Sequence, residues 1–128
     1  MPADLQPSSD MVSKLIDHAT RILDGDTALP APLRARTAAL LARTALEIAV
    51  DDRLTAAGLP MPGAKMRNQL ICIRVAVDPT QGPALDAAYA GLSRSCHQHA
   101  YELSPTASEV RHLVDIVRAW TPPPTEHP

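Results

Sequence analysis

Arg94, Cys96, His97, His99 and Tyr101 fall within eight positions, in the stretch Leu92-Ser-Arg-Ser-Cys-His-Gln-His-Ala-Tyr-Glu-Leu103 of a chain with only five histidines. Arginine stays charged and offers a planar fork of donors that matches phosphate oxygens. Histidine takes or gives a proton near neutral pH. With a tyrosine beside them, these groups suit cleavage of a phosphodiester by an adjacent 2′-hydroxyl without a metal. A histidine would handle the proton while arginine stabilises the charge developing at phosphorus.

Each of these residues also has a plainer reading. His99 can be a core histidine satisfied by a backbone carbonyl. Arg94 can be solvated or paired with Glu102, and Tyr101 can anchor packing with its hydroxyl at the surface. Glu47 lies four residues after Arg43, the spacing of an ordinary surface pair on a helix. Arg67 and Arg74 share a helix face and would either guide RNA phosphates or form a wet surface. Cys96, His97 and His99, with Cys72 or His112, raise the question of zinc. Structural zinc takes four convergent ligands, usually in closely spaced pairs. Cys96 and His97 are neighbours that diverge on a helix, and no second pair lies nearby. No metal or other cofactor is expected, and Cys96 reads as a small buried hydrophobe.

Elements to position these groups are legible from periodicity and punctuation. A first helix is expected from an N-cap at Ser9 or Asp10 to Leu23. Val12, Leu15, Ile16, Ala19, Ile22 and Leu23 form its apolar stripe, and Gly25 stops it. Pro30 and Pro32 suit the first turn of a second helix reaching about Ala57, apolar on most sides between Ala38 and Val50 as a central helix would be. A third is expected from Pro62–Gly63 to Val77, before Asp78–Pro79. A fourth would run from Gly82–Pro83 to about Leu103. Thr106-x-x-Glu109 forms a capping box for a fifth that ends at Trp120. The fold class expected is all-α, a bundle of four main helices plus a short fifth. Residues 1–120 would form one domain, with residues 121–128, four of them proline, as a disordered tail.

Composition narrows the classes of function. The chain has 128 residues, 45% of them hydrophobic and 20% charged, enough for one packed core and too apolar for wholesale disorder. Ala and Leu dominate while Phe is absent, the reverse of what a β-sandwich needs. Twelve basic against fourteen acidic residues exclude a strongly basic nucleic-acid coat protein. A DNA-binding regulator is poorly supported, since no basic helix follows a tight helix–turn–helix. No apolar run is long enough to span a bilayer, and Met1–Asp10 lacks the pattern of an export signal. A cytoplasmic protein with reduced thiols and no membrane association is expected.

Arg94-x4-His99-x-Tyr101 resembles the R-x4-6-H signature of HEPN (higher eukaryote and prokaryote nucleotide-binding) proteins, in the R-x4-H-x-Y form of HEPN toxins. Leu103, Pro105 and a final amphipathic helix follow the motif as they often do in those toxins. Ala45-Leu46-Glu47 is similar to the segment that carries an acidic residue on an early HEPN helix. The resemblance covers about Leu33 to Trp120. It implies a HEPN-type helical bundle and a homodimer whose two motifs face a shared cleft, with RNA as the substrate of metal-independent cleavage. It also implies that Tyr101 is where a nucleotidyltransferase-type antitoxin would attach AMP. The family usually has Asn, Asp or another polar group after the motif arginine; here that supporting position is Ser95.

On an unbroken helix Arg94 and His99 would lie about 140° apart. His99 would then share a stripe with Leu85, Ala88, Leu92, Cys96 and Leu103, while Arg94, His97 and Tyr101 would share the opposite face. The helix could be distorted near the motif, or the stripe bearing His99 could face a dimer seam. A third arrangement makes His97 the proton-transfer residue beside Arg94. The dimer seam is preferred, with His99 primary and His97 auxiliary. The function expected is that of a ribonuclease toxin in a toxin–antitoxin or defence system. The alternative is a non-catalytic HEPN-like module for dimerisation or for binding a nucleotide or partner.

Overall fold

The computed structural model describes residues 7–97 and 105–121. Its elements are α1 (Pro7–Leu23), α2 (Ala31–Ala56), α3 (Met66–Cys72) continued by a π-helical segment (Ile73–Val77), α4 (Gly82–Cys96) and α5 (Ala107–Trp120). No strand occurs among the described residues, so the all-α expectation holds. None of these helices is long and apolar enough to cross a membrane.

Helix α2 is the axle of the bundle and packs against α1, α4 and α5. Six of its nine buried residues are alanines (Ala35, Ala38, Ala39, Ala42, Ala45 and Ala49), joined by Leu46, Val50 and Leu54. Small side chains let neighbouring helices approach closely, and alanine loses no side-chain entropy on burial. α1 lays Val12, Ile16, Ala19 and Ile22 into that core. It ends where Gly25 takes φ 89°, which lets Asp26 N–H reach Arg21 O at 2.9 Å and Gly25 N–H reach Ile22 O at 3.0 Å.

Helix α3 starts later than the prolines suggest. Residues 61–64 form a turn instead, with Gly63 at φ 77° and Ala64 N–H donating to Met61 O. Its last turn widens until Asp78 N–H bonds Ile73 O at 2.7 Å, five residues back. The start of α4 lies against this widened turn, where a Cβ on Gly82 would sit 2.7 Å from Arg74 Cα.

At the N-terminus of α5, the Thr106 hydroxyl accepts from Glu109 N–H at 3.0 Å, as the capping box predicts. Val110, Val114 and Val117 are buried. At the far end the Trp120 indole donates to Asp78 Oδ2 at 3.0 Å, and the Arg53 guanidinium lies 4.6 Å from the indole centroid. Asp78 also accepts from Gln81 N–H at 3.0 Å and lies 3.8 Å from Arg53. These contacts tie α5 and α2 to the turn before α4.

The fourth helix differs most from expectation. Leu85, Ala88 and Leu92 are buried and Cys96 is half-buried, so the apolar stripe is real as far as the helix goes. It stops at Cys96 rather than Leu103, and His97 takes φ −110°, ψ 51°. Two contacts accompany this end. Arg36 Nη2 donates to the Cys96 carbonyl at 3.4 Å, satisfying a terminal acceptor with a cation, as the helix dipole favours. The Ser95 hydroxyl donates to Gly91 O at 2.9 Å, a back-bond that weakens regular helix. His99, Tyr101, Glu102 and Leu103 lie outside the described residues, as does the chain after Thr121.

Candidate functional site at the C-terminal end of α4

Arg94 lies in the last turn of α4 and is exposed, with no hydrogen bond or ion pair to any described residue. His97, three positions on, is also exposed. Its ring Nε2 lies 2.9 Å from Arg43 Nη1 of α2. The helix end therefore presents one uncommitted guanidinium and one imidazole tethered to a second guanidinium.

Arg43 is itself held from several sides. Its Nε donates to the Tyr89 hydroxyl at 3.2 Å, its guanidinium carbon lies 5.3 Å from the Tyr89 ring centroid, and its Nε is 3.5 Å from Glu47 Oε2. The Tyr89 hydroxyl donates in turn to Glu47 Oε2 at 2.8 Å. A relay thus runs from Glu47 through Tyr89 and Arg43 to His97, fastening α2 to the last two turns of α4.

The charge states follow from these contacts. The hydrogen bond to the Tyr89 hydroxyl first, with the Glu47 carboxylate adding to it, raises the Arg43 pKa above its ordinary value, against burial acting the other way. Burial first, and the hydrogen bond to Glu47 next, push the Tyr89 phenol up, so it stays protonated as a donor. Burial likewise pushes the Cys96 thiol up, while Arg43 and Arg36 act against it. Cys96 is an inert thiol near neutral pH rather than a nucleophile. No group of three or more His, Cys, Asp or Glu residues converges to hold a metal among the described residues.

Of the residues expected at the site, Arg94 and His97 lie together at one helix end, and Glu47 joins them through the relay. Glu47 is the i,i+4 partner of Arg43 and also accepts from the Tyr89 hydroxyl. Ser95 goes the other way. It is 8% exposed and spends its hydroxyl on Gly91 O, so it supports the helix rather than the surface groups. His99 and Tyr101 lie outside the described residues.

No family model matches the chain, and no curated protein or solved structure matches it. The residues that sequence reasoning missed are Tyr89 and, in its reach toward His97, Arg43. Tyr89 is one of only two tyrosines, and Arg43-x3-Glu47 is a visible charged pair. What was illegible is the α2–α4 packing that brings the three together.

Proposed function

We propose that this chain is a HEPN-like, metal-independent ribonuclease, acting in the cytoplasm as a homodimer and serving as the toxin of a toxin–antitoxin or defence system. The observation that carries this reading is the end of α4 at Cys96, between the motif arginine and its histidine. An unbroken helix would hold Arg94 and His99 about 140° apart. A chain that leaves the helix at His97 is under no such constraint, and Arg94 is exposed and uncommitted among the described residues.

In this reading Arg94 holds the scissile phosphate and His99 transfers the proton. The 2′-oxygen loses its proton to a base and forms a bond to phosphorus. The bond from phosphorus to the 5′-oxygen breaks, and that oxygen takes up a proton. The products are a 2′,3′-cyclic phosphate and a 5′-hydroxyl. His97 is auxiliary beside Arg94, Glu47 supports it through Tyr89 and Arg43, and Tyr101 shapes the site or receives AMP from a nucleotidyltransferase-type antitoxin. A second reading, a non-catalytic HEPN-like module for dimerisation or partner binding, is favoured by Ser95, whose hydroxyl is turned inward to Gly91 O.

Cleavage of single-stranded RNA in excess chelator separates them. Wild type is expected to cleave, and Arg94→Ala and His99→Ala to lose about 10²–10⁴-fold, the usual contribution of a proton-transfer group. Equal activity in all three ends the ribonuclease reading. A dimeric wild type without cleavage supports the module.

A further inference from the structure

We propose that Arg43 is a positioning residue that fixes the tautomer of His97, so that the ring turns an Nδ1–H donor outward at the end of α4. A guanidinium carries five N–H donors and no acceptor. In the 2.9 Å contact between Arg43 Nη1 and His97 Nε2, the imidazole nitrogen is therefore the acceptor. A neutral ring that accepts at Nε2 carries its proton on Nδ1.

The holder is itself preorganised, which separates this contact from a casual surface one. The Tyr89 hydroxyl and ring face and the Glu47 carboxylate fix the guanidinium before His97 meets it. The Tyr89 proton is committed to Glu47 at 2.8 Å, which leaves the phenolic oxygen to accept from Arg43 Nε. The direction of each bond in the relay is thereby set, from the Tyr89 hydroxyl to Glu47, from Arg43 Nε to the Tyr89 oxygen and from Arg43 Nη1 to His97 Nε2. His97 is the last member and the only one that is a ring with a second nitrogen.

The consequence is chemical. With Nε2 occupied, His97 offers a neutral N–H donor, suited to bonding an anionic oxygen and unsuited to removing a proton. This deepens the ribonuclease reading on which the ligand class rests: His97 would bind a phosphate oxygen of the RNA alongside Arg94, leaving proton removal to another group. The tautomer itself does not depend on that reading.

The test is long-range ¹⁵N–¹H correlation spectroscopy of the full chain, with His97 assigned by comparison with His97→Gln, at a pH where the ring is neutral. Wild type and Tyr89→Phe are to be compared with Arg43→Met. Wild type is expected to show a protonated Nδ1 and a bare Nε2. Arg43→Met is expected to move His97 toward the Nε2–H form that solvent-exposed histidines prefer, with the remaining histidine signals unchanged as a check on folding. Tyr89→Phe, which loosens Arg43 without removing it, is expected to fall between them. An Nε2–H ring in wild type, or a wild-type tautomer retained in folded Arg43→Met, overturns the proposal. If Arg43→Met does not fold, the wild-type spectrum and Tyr89→Phe decide it. Because no RNA is present, this outcome is independent of whether the chain cleaves RNA.

Discussion

Two glycines in α4 invite the same substitution with different results. A Cβ on Gly82 would sit 2.7 Å from Arg74 Cα and 2.8 Å from Arg74 Cβ, against the backbone of the π-helical segment. Neither atom can rotate away, so the chain must part there. Overpacking of this kind costs about 1–3 kcal/mol. Alanine's better helix propensity returns at most about 1 kcal/mol in a helix interior, and less at the first helical position, where Gly82 sits. Gly82→Ala should therefore destabilise by about 1–2 kcal/mol. At Gly91 the nearest atom is Leu113 Cδ1 at 2.9 Å, the far end of a half-buried flexible side chain. Gly91 lies well inside the helix, so the full propensity gain of about 1 kcal/mol applies and Leu113 can turn aside. Gly91→Ala should stay within about 1 kcal/mol of wild type in either direction. For a domain of this size a loss of 1 kcal/mol lowers Tm by about 3–5 °C. Thermal unfolding followed by circular dichroism, with urea titrations for confirmation, reads both variants. A Gly82→Ala protein as stable as wild type, or one less perturbed than Gly91→Ala, would show that α4 does not abut the π segment as described.

Three further expectations are simpler to state. The Asp78 carboxyl is held below its ordinary value, first by the Gln81 N–H and then by the Trp120 indole and Arg53. Its stabilisation is present above the unfolded-state pKa and lost as pH falls through the lower folded one, so Asp78→Asn should flatten the acid limb of a Tm–pH profile below about pH 4. An unchanged acid limb would show that the contacts contribute nothing. Thr106→Ala removes the α5 cap and should cost about 0.5–2 kcal/mol by urea denaturation, whereas no loss would mean that another group takes the Glu109 N–H. Cys96, its thiol raised by burial, should alkylate more slowly at pH 7 than a free cysteine when followed by mass spectrometry in a Cys72→Ser background; faster reaction would contradict the burial.

The local signals in the sequence were strong where punctuation and period agree. Gly25 as the stop of α1, the Thr106–Glu109 capping box and the apolar stripes of α1 and α5 were all readable, because each depends on residues within one or two turns. The end of α4 was not. Leu92, Cys96, His99 and Leu103 continue an apolar rhythm past the point where the helix stops. The contact that caps it comes from Arg36, 60 residues away. The same limit hid the relay. Arg43 and Glu47 announce a pair on α2, yet nothing local brings Tyr89 between them or aims Arg43 at His97. Ser95 illustrates the converse: its residue type suits a polar site, but its position on α4 turns it into the bundle.

Incubation of the wild-type chain in excess chelator with a single-stranded RNA, and with the same sequence as DNA, tests the central claim most directly. Attack by a neighbouring 2′-hydroxyl predicts cleavage of the RNA to products with 2′,3′-cyclic phosphate ends and none of the DNA. An RNA left whole, or a DNA strand cut equally well, would contradict it.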